Sequence, residues 1–134
     1  MTVDIETKVG CVGVAGSPGA WFVTPTSVIL SNGVNANVTP SGCMLVSGPS
    51  GAFSLAGLVA PVSAADGLEV LVVNTLSYTM TIKHQDSADE ATAGNRVMSP
   101  TGADLVIATP TSGFGYAKLK YIGALSRWLV IDDG

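Results

Sequence analysis

The sequence predicts an all-β fold: a single β-sandwich or jelly-roll-like domain of about eight to ten short strands over residues 20–134, behind an extended N-terminal arm of residues 1–19. Three observations carry this expectation. No stretch shows the apolar period of an ordinary helix. Gly and Pro, 16 and 7 in number, recur along the whole chain, and both oppose helix interiors. Short β-rich runs stand between turn signals at the spacing usual in sandwiches and barrels. A length of 134 residues suits one such domain and leaves no room for two.

The elements follow in order. Val9, Cys11, Val12 and Val14 lie among Gly10, Gly13, Gly16 and Gly19, a pattern for an extended arm or weak strand. Ala20–Val23 reads as a strand ending at Pro25. Ser27–Ser31, Asn32-Gly33 and Val34–Val38 read as a hairpin, because Asn-Gly suits a turn with two positive φ angles. Cys43–Val46 is a further run, closed by Ser47–Gly51, and Phe53, Leu55 and Leu58 follow. After the turn Asp66-Gly67, Leu68–Asn74 has the near-continuous Val and Leu of a central strand buried on both faces. Tyr78, Met80 and Ile82 alternate with Thr79, Thr81 and Lys83. His84–Asn95 is a polar loop, Arg96–Met98 and Asp104–Ala108 are short strands, and Thr109–Gly113 is a turn. In Tyr116–Ile122, Lys118 and Lys120 take one face and Leu119 and Tyr121 the other. Arg127–Ile131 closes the chain with Trp128 and Val130 inward. With only 6% aromatic residues, Trp21, Phe53, Tyr78, Tyr121 and Trp128 are the expected core anchors.

Composition excludes several functional classes. Apolar residues make up 47% and charged residues 12%, against a usual value of about 25% charged. A disordered chain has the opposite balance. Six basic residues against ten acidic ones give a net charge of −4, which excludes a basic nucleic-acid footprint. Mean hydropathy is +0.46, yet the longest uninterrupted apolar runs, such as Val70–Val73, are far shorter than the ~20 residues of a spanning helix. No membrane partner is expected. Asp4 and Glu6 stand where a signal peptide would be basic, so the chain is expected to start in the cytosol of the cell that makes it. In that reducing setting Asn37-Val38-Thr39 is a chance sequon, and Cys11 and Cys43 read as two small buried thiols, with a disulfide second. So few charges leave a monomer short of solubilising surface, so part of the surface is expected to lie against other subunits, as a trimer in preference to a dimer.

No catalytic, cofactor-binding or metal-binding residues are assigned. His84, the sole histidine, precedes Asp86, Asp89 and Glu90, but this spacing matches no metal-ligand pattern and reads as a solvated acidic loop. No nucleophile elbow, phosphate loop or dinucleotide fingerprint occurs. The pairs Asp89-Glu90 and Asp132-Asp133 are adjacent, whereas glycoside hydrolysis needs carboxyls facing across a cleft. Arg96 is expected at the base of the acidic loop, bound to a carboxylate or to backbone carbonyls.

One set of short pieces is more specific. These are Phe53–Leu58, Ala65-Asp66-Gly67, Val72–Thr75, Tyr78–His84, Ala93–Val97, Gly102–Ile107 and Arg127-Trp128. In this order they resemble a β-structured module of tailed-bacteriophage virion proteins, found in tail fibres and in small head-decoration (cement) proteins. The resemblance implies a non-enzymatic, homo-oligomeric virion component without cofactors. The chain lacks the long repetitive shaft of a fibre, which favours a capsid decoration protein on the head surface, with the major capsid protein as partner. A tail-fibre tip recognising a host glycan or protein is the alternative. Extended Gly- and Val-rich segments can add a strand to a partner's sheet edge, so residues 1–19 are the expected clamp.

Overall fold

A computed structural model describes residues 24–62, 67–107, 109 and 114–134. The arm, the strand Ala20–Val23, Trp21 and Cys11 lie outside the described residues. The described residues form ten strands: β1 (Thr26–Ile29), β2 (Gly33–Asn35), β3 (Cys43–Ser47), β4 (Phe53–Leu55), β5 (Glu69–Asn74), β6 (Met80–Ile82), β7 (Val97–Met98), β8 (Leu105–Ile107), β9 (Gly115–Ile122) and β10 (Arg127–Asp133). The only helical element among them is one 3₁₀ turn, Ala93–Asn95. The fold is therefore all-β, in two sheets. One has the order β1-β3-β5-β9-β10-β7, the other β2-β4-β6-β8.

The first six strands alternate between the sheets, and each lies parallel to the strand two places earlier. Thr26 stands opposite Met44, and Cys43 opposite Leu71. In the other sheet Gly33 stands opposite Phe53, and Phe53 opposite Met80. The chain is thus wound in coils, each placing one strand in each sheet. Beyond the winding, β6 with β8, β5 with β9 and β9 with β10 pair antiparallel, and β7 lies parallel to β10 at the far edge. This departs from the pairing a jelly roll entails, which is antiparallel throughout.

It also corrects the hairpin reading of residues 27–38. β1 and β2 sit in different sheets. Gly33 has φ +82°, but Asn32 is not among the described residues with positive φ, so the paired geometry of a type I′ turn is absent. Asn32 instead binds the next coil: its Oδ1 accepts from the Ser50 N–H at 2.8 Å and its Nδ2 donates to Ser50 Oγ at 3.0 Å.

Alternation fills the space between the sheets. Met44, Val46, Val70, Val72, Leu119 and Trp128 from one sheet meet Phe53, Leu55, Met80, Ile82 and Ile107 from the other in one buried cluster. Trp128 is fully buried. Its ring packs edge-on against Tyr121, with centroids 5.3 Å apart. Lys118 and Lys120 face outward from β9, as the pattern predicts. Three expectations need correction. Tyr78 is 39% exposed rather than a core anchor, since the strand begins only at Met80. Leu68 is exposed and precedes β5, whose two-sided burial is confined to its second half. Cys43 is a free thiol, half-buried rather than buried.

Candidate functional site

The residues with potential chemistry gather around the loop between β6 and β7. The structure separates them rather than converging them. His84 donates its backbone N–H to Asp104 Oδ1 at 2.8 Å, and its Nδ1 accepts the Ser99 N–H at 3.0 Å. That acceptor role places the ring proton on Nε2. Asp86 Oδ1 accepts the N–H groups of Ala88 and Asp89, which shapes the loop locally. Asp86 Oδ2 is buried without a hydrogen-bond partner, and Asp89 is exposed. Among the described residues no three His, Cys, Asp or Glu side chains converge as a metal site would require.

Glu90 is the loop's main departure from expectation. Read as solvated, it is 3% exposed. Its Oε1 accepts the Asn37 N–H at 2.6 Å, and its Oε2 accepts from Thr92 N–H and Asn95 Nδ2, each at 3.3 Å. Asn95, also 3% exposed, completes the knot: its Nδ2 donates to Asn37 Oδ1, its Oδ1 accepts the Ala60 N–H, and its carbonyl accepts the Leu58 N–H. Gly57 passes against this knot so closely that a Cβ there would lie 2.7 Å from Glu90 Cγ and 2.8 Å from the Asn95 carbonyl oxygen. Arg96 binds backbone carbonyls, as expected at the loop base: Nε donates to Glu90 O at 2.9 Å and NH2 to Ala91 O at 3.1 Å. Glu90 and Asn95 therefore sew the polar loop to the segments that follow β2 and β4.

The exposed charges form small pairs. Lys83 reaches Asp104 at 2.8 Å. That hydrogen bond, with the His84 N–H, holds the Asp104 carboxyl below its ordinary value, and Asp104 in turn raises Lys83. Across β5 and β9, Glu69 lies 3.1 Å from Lys118 and 3.6 Å from Lys120, and its carboxyl is lowered chiefly by the Lys118 hydrogen bond. The Tyr116 hydroxyl donates to Asp132 Oδ2 at 3.2 Å, and the Asp132 charge raises Tyr116. Asp132 and Asp133 are both exposed and face no opposing carboxyl pair among the described residues.

A second feature was missed in reading the sequence for motifs. No Asp, Glu, Lys, Arg or His occurs between Lys8 and Asp66. The first two coils, β1 to β4, carry no charge at all, and at their open end Ile29 is 81% and Val34 43% exposed. The signal was a tract of absent residue types, which a search for chemical motifs passes over. No described helix is long and apolar enough to cross a membrane. Compared with protein families, curated proteins and solved structures, the chain matches none.

Proposed function

We propose that this protein is a non-enzymatic structural component of a tailed-bacteriophage virion, a decoration (cement) protein of the head. Its work would be associative: subunits sit where major capsid subunits meet, bridge them, and resist the outward pressure of packaged DNA. The observation that carries this reading is the uncharged half of the chain, with bulky apolar side chains left exposed on an otherwise well-filled all-β scaffold. Such a surface gains free energy by being covered. The quoted pieces from Phe53 to Trp128 supply the virion context. In this reading the two sheets pack as a sandwich-like unit, residues 1–19 act as the capsid clamp, and the copies self-associate. The protein is made in the host cytoplasm and ends on the capsid surface.

The experiment is rebinding to capsids stripped of their decoration protein. Saturable binding at regular head positions, seen by label in negative stain, supports the proposal. Removing residues 1–16 should abolish that binding while leaving the melting temperature nearly unchanged. Label on the tail instead would favour the fibre-tip reading. The exposed Phe114 ring, 6.2 Å from Tyr116, is a surface of the kind that stacks on sugars.

A further inference from the structure

Parallel winding puts the outer edges of both sheets at the same end of the molecule. Among the described residues β1 is the edge of one sheet and β2 the edge of the other, and they are joined by the short turn after Leu30. Among the described residues no strand pairs with either outer edge. An open edge offers unpaired N–H and C=O groups, and proteins that must stay apart blunt it with a charge, a proline or a bulge. Both strands are short, but neither carries a charge, a proline or a bulge: β1 is Thr-Ser-Val-Ile and β2 is Gly-Val-Asn. Pro25 stands before β1, outside the ladder. Ile29 and Val34, at the two sides of the turn, are exposed on the outer faces of the two sheets, in register with Ser47 and Ser54.

We infer that this β1/β2 end is a self-association surface, where the first coils of two copies of the chain pair edge to edge about a two-fold axis. The occupant follows from charge and symmetry. With a net charge of −4, two copies repel, and every charge among the described residues lies from Glu69 onward. The uncharged coil end is the place where copies meet without opposing like charges. A two-fold axis across that end sets β1 antiparallel to its counterpart and β2 antiparallel to its own. Each edge is then matched by an identical one, and Ile29 and Val34 gain cross-strand neighbours on the outer faces of the joined sheets, where a lysine would act as an edge-blocking charge. The assembly unit is thereby a dimer, in place of the trimer expected from composition. The inference rests on the self-association part of the proposed function, and its test uses no capsid, so failure to bind heads leaves it intact.

Light-scattering mass is measured on the full chain and on Ile29→Lys, Val34→Lys and Val106→Lys. Val106 is 62% exposed on β8, the opposite edge of the four-stranded sheet, and serves as the control. The wild type and Val106→Lys should give twice the 13.5 kDa chain mass, and the two coil-end variants the chain mass, with unchanged circular dichroism. The β1 amides that point away from β3 should be protected from hydrogen exchange in the wild type and exposed in Ile29→Lys. A second lysine position covers the case where one variant misfolds. A wild type of single-chain mass at all concentrations overturns the inference. In that case, β1 protection lost on removing residues 1–23 would assign the edge to the chain's own N-terminal segment. Coil-end variants that keep the double mass place the interface elsewhere and also overturn it.

Discussion

The indole N–H of Trp128 donates to the carbonyl of Leu58 at 3.0 Å, joining the last strand to the segment that follows β4. Both groups are buried, so the bond is made where water offers no substitute. The backbone N–H of Trp128 meanwhile donates to Arg96 O, so one residue holds the second coil and the loop base together.

Replacing this side chain separates its two contributions. Trp128→Ala should cost about 3–5 kcal/mol, the range for truncating a buried aromatic. Trp128→Phe keeps most of the packing against Tyr121 but orphans the Leu58 carbonyl, a loss of about 1–3 kcal/mol. Urea unfolding gives both values. An unchanged midpoint in Trp128→Ala would show that the ring does not anchor the core.

Glu90 should behave as a buried structural carboxylate. Glu90→Ala leaves the Asn37 and Thr92 N–H groups without their acceptor, at a cost of about 2–4 kcal/mol. Glu90→Gln retains one acceptor oxygen and should lose less. Equal and negligible effects of the two variants on thermal unfolding would contradict the burial.

Gly57→Ala tests the same knot from the other side. The added methyl meets Glu90 Cγ and the Asn95 carbonyl, and backbone there cannot yield cheaply. A loss of about 1–3 kcal/mol is expected, as for other overpacked sites. Gly51→Ala, where a Cβ has open space, is the control and should leave the melting temperature within a degree or so of wild type.

Acid should act partly through Asp104. Its folded carboxyl is held below the ordinary value, so its contribution is full above the unfolded carboxyl's ordinary value and fades as pH falls through the lower folded one. Lys83 is raised, so its contribution holds below the ordinary lysine value and fades as pH climbs through the raised one. Asp104→Asn should lower the melting temperature slightly at neutral pH, and that gap should close in strong acid. The pair is exposed, so the effect is small. A gap that is constant across the acid range would contradict this linkage.

Facing was legible in the sequence and partnership was not. A period of two decides which side chains point inward, and Trp128, Val130, Leu119 and Met80 all lie where alternation puts them. The same pattern is silent on which strand lies alongside. Ser27–Val38 therefore looked like a hairpin, although each of its strands pairs with a later coil. Glu90 was misread for a related reason: what buries it includes Asn37 and Gly57, remote in sequence and joined to it only by the winding. Arg96 was readable because its partners, Glu90 and Ala91, are local.

The coiled path has a consequence for how this chain can change in length. A strand in the interior of a coil stack sees a strand above and a strand below, each parallel to it and offset by one full circuit, as Met44 sees Thr26 and Val72. Deleting or inserting a complete circuit would preserve both neighbours and the inward set of side chains, whereas a change of one residue within a strand would turn that set outward. Growth by whole circuits, with the antiparallel strands β8, β9 and β10 kept as a fixed terminus, is thus the route by which relatives of different lengths could share one cross-section.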